Sequence, residues 1–158
     1  MPQKSESVLS FTPGFSPVTC IVVEMMNRAT QITYFLLRVV SGFLLIQAGG
    51  LILFGWFGGM PDGAKVRLMS QTGIGGILEF FGGILILLGL FTRPVAFILS
   101  GMMAVAYWQF HFNRDWPLQN QGMPAVLLCF IFLYIAARGG GEWSLDALIR
   151  RKRSAPPV

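Results

Sequence analysis

The stretch Thr72–Pro94, TGIGGILEFFGGILILLGLFTRP, decides how the chain is read. Its polar ends enclose roughly 20 residues, enough to cross the hydrocarbon core of a bilayer as one helix. Two features set it apart from a lipid-facing anchor. Glu79 stands well inside the apolar run, and glycines recur at Gly75, Gly82 and Gly89, with Gly76 and Gly83 beside them. A seven-residue spacing keeps the first three within one stripe that drifts only about 20° per repeat. Glu79 comes one helical turn after Gly75 and one before Gly82, so it shares that stripe. Small residues let a second helix approach closely, and a carboxylate among them turns away from lipid. The expectation is a helix buried in a bundle with its acid toward protein.

Composition points the same way. Of 158 residues, 54% are hydrophobic and 12% charged, whereas a soluble domain carries about twice that charged share. The length suits one domain. The net charge of +5 is concentrated in Arg150, Arg151, Lys152 and Arg153, beyond the last apolar segment. In a membrane protein such a run serves as a topology signal or a contact with anionic lipid, ahead of nucleic acid. Cys20 and Cys129 form neither a CxxC pair nor a metal-ligand spacing. Cys129, inside an apolar run, is expected to be a small buried hydrophobe.

The fold class is therefore all-α, a four-transmembrane-helix bundle followed by a short interfacial helix. The spans are expected near 34–57, 72–91, 95–112 and 123–137. Residues 1–33 form a tail, too short in its apolar part and interrupted by Glu24, so not a cleavable signal. Met25 or Met26 is the expected natural start. In the first span Arg38 lies one turn inside the membrane and is expected to snorkel to the headgroups. Gly42 and Gly49 share its face, while Gln47 falls on the opposite one. The turn Thr92-Arg93-Pro94 leads into the third span, where Gly101, Ala104, Trp108 and His111 share a face. The fourth span is featureless and reads as structural. After it, residues 139–158 make a basic tail in which Ser144 can cap a short helix with Asp146 in its first turn.

Arginine and lysine placement sets the expected orientation. One side holds Lys4, Arg28, Arg38, Arg93, Arg138 and the basic run from Arg150 to Arg153; the other holds Lys65, Arg67 and Arg114. The bias puts both termini in the cytoplasm and Trp56, Trp108 and Trp116 at the outer interface. Glu79 then lies about 10 Å below the outer surface, level with Gln47, Trp108 and His111. Two readings stay open. In one, these four line an outward-opening pocket, with Glu79 as proton acceptor or substrate ligand and His111 as its partner. In the other, Glu79 and Gln47 make interhelical hydrogen bonds and His111 is an ordinary interface residue. With a single histidine, a haem held by two histidines of this chain is excluded, and a zinc site lacks ligands.

The segments GGILEFFGGILILLGLFTRPVA, RVVSGFLLIQAG and WSLDALI together resemble the DoxX family over roughly Phe35 to Ile149. Arg38, Gly42, Glu79, Gly82, Gly83, Gly89, Thr92 and Arg93 match the family pattern. His111 and Ser144-Leu145-Asp146 match it more loosely, and the first 30 residues depart from it. The resemblance implies a small four-helix protein of the bacterial inner membrane. The family takes its name from a membrane subunit associated with thiosulfate:quinone oxidoreductase, and other members are linked to redox-stress complexes. It implies a membrane subunit of a quinone-linked redox system, with a redox partner subunit and a homo-oligomer as candidate assemblies. A scaffold that recruits a partner through the basic tail, and a proton-coupled transporter of small molecules, are the alternatives. No catalytic residue is carried over from the family, so Glu79 and His111 are candidates on their own chemistry.

Overall fold

The computed structural model describes residues 17–58, 68–112 and 122–153, and over these the chain is all-α. Five α-helices follow one another: α1 Pro17–Phe54, α2 Gln71–Leu88, α3 Thr92–Ala106, α4 Met123–Arg138 and α5 Leu145–Arg153. A 3-10 turn, Trp56–Gly58, follows α1, and a π-turn, Tyr107–His111, continues α3. Residues 1–16, 59–67, 113–121 and 154–158 lie outside the described residues, and with them Lys4, Lys65, Arg67, Arg114 and Trp116.

The first helix departs from the expected 34–57. It begins at Pro17 and runs unbroken for 38 residues. Proline is tolerated in a first turn, and no second proline interrupts the chain before Phe54. The pair Glu24–Arg28, 3.0 Å apart at i,i+4, supports the segment read as tail. At about 57 Å the helix is nearly twice the thickness of a bilayer core. Gly55, at φ 68°, stops it. Among the described residues, two helices are long and apolar enough to cross a membrane, Cys20–Phe54 and Gln71–Leu88; α4 is apolar but has only 16 residues.

Helix α1 packs along α2 and α3 along α4, and α2 joins the two pairs through α3. The α1–α2 contact is made by glycines in antiparallel register, Gly42 against Gly83 and Gly49 against Gly76. A Cβ on Gly83 would stand 2.8 Å from the Gly42 carbonyl oxygen and 2.9 Å from Ile46. The surface facing α1 is thus Gly76–Gly83, one residue on from the expected stripe. Gly82 instead faces Leu99 of α3, and Gly75 faces open space. Both sets repeat every seven residues, so the period alone does not choose between adjacent registers about 100° apart. The pair α3–α4 is tied by Ser100, whose hydroxyl donates to the Cys129 carbonyl at 2.8 Å. Cys129 itself is half-buried, with Leu99, Met103, Phe132 and Ile135 forming the core.

At the other end of these helices the chain after α4 folds back onto the bundle. Gly139, at φ 84°, turns it away from α4. Tyr34 then donates its hydroxyl proton to the Gly139 carbonyl. Arg38 is 1% exposed and does not snorkel. It donates to the Gly140 carbonyl, and at 2.7 Å to the Trp143 carbonyl. An arginine inside a membrane protein is stable where backbone carbonyls share its charge, and the glycine-rich return supplies two of them. Ser144 accepts from the Ala147 N–H at 3.2 Å and so caps α5.

Asp146 completes the arrangement from outside the bundle. Its carboxylate accepts from the backbone N–H groups of Phe91 and Thr92, each at 2.9 Å, and from the Thr92 hydroxyl at 2.8 Å. These are the unpaired donors at the start of α3, which an acid favours both by hydrogen bonding and by charge. The turn between α2 and α3 is tight. Gly89 closes α2 at φ 70°, with the Leu90 N–H reaching back to Leu85 at 3.0 Å. Phe91 is also left-handed, at φ 48°, a conformation an aromatic residue holds only when its surroundings enforce it. The Asp146 carboxylate on its N–H is that enforcement.

Candidate functional site

A cavity of about 320 Å³ opens between α2 and the α3 π-turn, at the end of the bundle away from α5. Gln71, Thr72, Gly75 and Glu79 line one wall, spaced by three and four residues so that they share a face of α2. Met102, Val105, Ala106, Gln109 and Phe110 line the other, and Ile52 of α1 closes the floor. The walls are mostly apolar, with a few polar groups converging on one region, as ligand pockets are. Gly75 makes the room: nothing lies within 4 Å of where its Cβ would be.

The polar groups are of two kinds. Gln71 and Gln109 bind each other across the mouth, Nε2 of the first donating to Oε1 of the second. Glu79 lies deeper, and its Oε2 is buried without a hydrogen-bond partner among the described residues. A buried acceptor that is left unpaired costs about 1–3 kcal/mol, so the site stores demand for a donor. The π-turn supplies Gln109 and Phe110 of the second wall. Its wider winding is marked by the Phe112 N–H bonding to the Tyr107 carbonyl at 3.1 Å, and π-bulges of this kind occur often at functional sites.

Of the residues expected to converge whose side chains are described, Glu79 lines the cavity and Gln47 and Trp108 do not. Trp108 is 58% exposed and packs on Phe112, with ring centroids 4.0 Å apart and the planes tilted by 41°. It keeps the face it shares with Gly101, which is exposed and turned away from the cavity. Gln47 is half-buried on α1, two residues from the Gly49 contact with α2, and takes no part in the lining. His111 ends the π-turn, and its side chain lies outside the described residues. Of the glycines, Gly42 and Gly83 serve helix packing, Gly82 seats Leu99, and Gly89 caps α2 against Arg38 and Ser144. Thr92 is buried beneath Asp146, and Arg93 is exposed beside it.

Sequence reasoning missed Gln71 and Gln109. Gln71 carries a usable signal, because it is two turns before Glu79 on the same face. Gln109 lies on one helical face with Met102, Val105 and Ala106, but nothing in the sequence shows that this face meets α2.

No solved structure matches this chain. An "Uncharacterized protein" of Haemophilus influenzae is 37% identical over 128 residues, covering 77% of this chain and 96% of that protein. The Escherichia coli "Inner membrane protein YqjF" is 27% identical over 135 residues, covering 80% of this chain and 99% of that one. The family model DoxX matches residues 33–112, which include α2, α3, the π-turn and the cavity between them. With that match and these relatives, the chain belongs to the DoxX family.

Proposed function

We propose that the protein is a four-span inner-membrane subunit of a quinone-linked redox system, with Glu79 binding and exchanging a proton at a quinone site. The observation that carries this reading is the unpartnered Glu79 Oε2 in an apolar-walled cavity. The residues present fit a quinone head. Met102, Val105 and Phe110 offer apolar contact to a ring, and Glu79 offers one oxygen that accepts or donates a proton at a ring oxygen. A quinone would supply a carrier of two electrons and two protons soluble in the bilayer. Gln71 and Gln109, bound to each other at the mouth, restrict water from the direction of the aqueous phase. The volume of about 320 Å³ suits a ring and not its whole isoprenoid tail.

The remaining parts of the proposal follow from placement. The end carrying α5 faces the cytoplasm, because Arg93, Arg138 and the basic run from Arg150 to Arg153 collect there. The electrons come from a redox partner subunit, with lipid surrounding the bundle on its other faces. The family resemblance supports a thiosulfate, thiol or redox-stress system.

The test is binding of a short-chain quinone to the purified chain in nanodiscs, followed by tryptophan fluorescence quenching. Glu79→Gln is expected to weaken binding by about tenfold, the worth of one strong hydrogen bond to a charged group. Gly75→Leu, which fills the cavity, is expected to abolish it. Unchanged binding in both variants refutes the site.

A further inference from the structure

A second and larger cavity, about 680 Å³, lies at the α5 end. Four guanidinium groups line it: Arg93 from the start of α3, Arg138 from the end of α4, and Arg150 and Arg151 from α5. They are far apart in the chain and are brought together by the return of residues 139–144 onto the bundle. Two carboxylates, Glu142 and Asp146, share the lining. Asp146 is already engaged by three donors from Phe91 and Thr92. The pocket thus carries more positive charge than its own acids balance.

Two of the arginines have close neighbours that place them. Arg138 donates to the Tyr134 hydroxyl at 2.8 Å and lies 4.5 Å from the centroid of the Tyr34 ring. Arg93 extends across Gly139, where a Cβ would come within 3.0 Å of its Nε. The guanidinium groups of Arg93 and Arg151 make no hydrogen bond or ion pair among the described residues. Like charges held together cost Coulomb energy that an anion between them returns. Arginine's planar fork matches the oxygens of a phosphate two at a time.

We propose that this pocket binds a phosphate-bearing anion, with Arg93 and Arg151 as its direct ligands. The phosphate can belong to an acidic lipid headgroup or be free in solution. The lipid source has access, because Trp143, Leu145, Leu148 and Ile149 are exposed next to the pocket, so this edge of α5 presents an apolar face at membrane-surface level. The site is separate from the Glu79 cavity at the opposite end and does not depend on the reading given to that cavity.

The experiment uses the full chain in two arms. In the first, native mass spectrometry measures phosphatidylglycerol retained over phosphatidylcholine from mixed micelles. In the second, thermal unfolding in phosphatidylcholine nanodiscs is followed with added inorganic phosphate against chloride at equal ionic strength. The test variant is Arg93→Gln with Arg151→Gln; the control is Lys152→Gln with Arg153→Gln, which removes equal charge outside the lining. The test variant should lose about tenfold or more of the preference in whichever arm binds, since each charge-assisted bond is worth about tenfold. The control should retain it. Arg93→Lys, which keeps the charge without the fork, should fall between them, and it guards against loss through misfolding. Preference in the first arm alone identifies a headgroup, and in the second a free phosphate. Binding in neither arm, an undiminished test variant, or an equal loss in the control would overturn the proposal.

Discussion

Asp146 of α5 caps the first turn of α3 through Thr92, accepting from its N–H at 2.9 Å and its hydroxyl at 2.8 Å. The α2–α3 turn is therefore held by a helix that comes 54 residues later in the chain. The docked position of α5 and the left-handed backbone of Phe91 depend on the same carboxylate. Removing it should release both.

Asp146→Ala is expected to destabilise the chain by about 1–2 kcal/mol, the range for loss of a capping acid. Hydrogen exchange should rise at residues 89–93 and throughout α5 together. Exchange that rises in α5 alone would mean the turn holds itself.

The same carboxylate sets an acid limit on α5 docking. Burial pushes the Asp146 carboxyl up, but the bonds from Thr92 and Phe91 and the charge of Arg150 outweigh it and hold it below the ordinary 3.8. A carboxyl lowered on folding stabilises the folded state fully above its unfolded value, and that contribution is lost as pH falls through the folded one. Protection of α5 from pepsin at Leu145 and Leu148 should thus persist to about pH 4 and fall below it. In Asp146→Asn it should not change over that interval.

Arg38 anchors the return from within α1. Arg38→Leu leaves the Gly140 and Trp143 carbonyls without their donor, a loss of about 3 kcal/mol for bonds from a charged group. Arg38→Lys should recover only part of it, because an ammonium cannot reach both carbonyls in the same plane. Melting temperatures of the three proteins in one detergent would check the order.

The glycines separate cleanly by position. Gly83→Val should cost about 1–3 kcal/mol as it forces α1 from α2, since its Cβ would meet the Gly42 carbonyl oxygen at 2.8 Å. Gly75→Ala meets nothing within 4 Å, and alanine is the better helix former by about 1 kcal/mol. It should leave the melting temperature unchanged or raise it. A larger loss in Gly75→Ala than in Gly83→Val would reverse the assignment of the α1-facing side.

Much of this protein is determined by sequence alone. Apolar runs and scarce charge establish an all-α membrane class. Heptad glycines establish that α2 is closely packed, and Glu79 stands out because an acid in such a run demands a partner or a cavity. The family is legible in the Glu79 to Arg93 motif. All of these are local signals, read from composition and from spacing along one helix. Other properties depend on contacts between segments distant in the chain. The choice of Gly76–Gly83 over Gly75–Gly82 as the α1-facing side turns on a rotation of about 100°, which packing against Gly42 and Gly49 decides. Trp108 misses the cavity because the face it shares with Gly101 is turned outward, and only the packing of α3 on α2 and α4 decides which face turns inward. Arg38 is buried rather than snorkelling because the chain returns after α4 and brings carbonyls to it. The cap on α3 belongs to Asp146 for the same reason. Periodicity describes one helix at a time, and these relations exist only once the end of the chain has folded back over its middle.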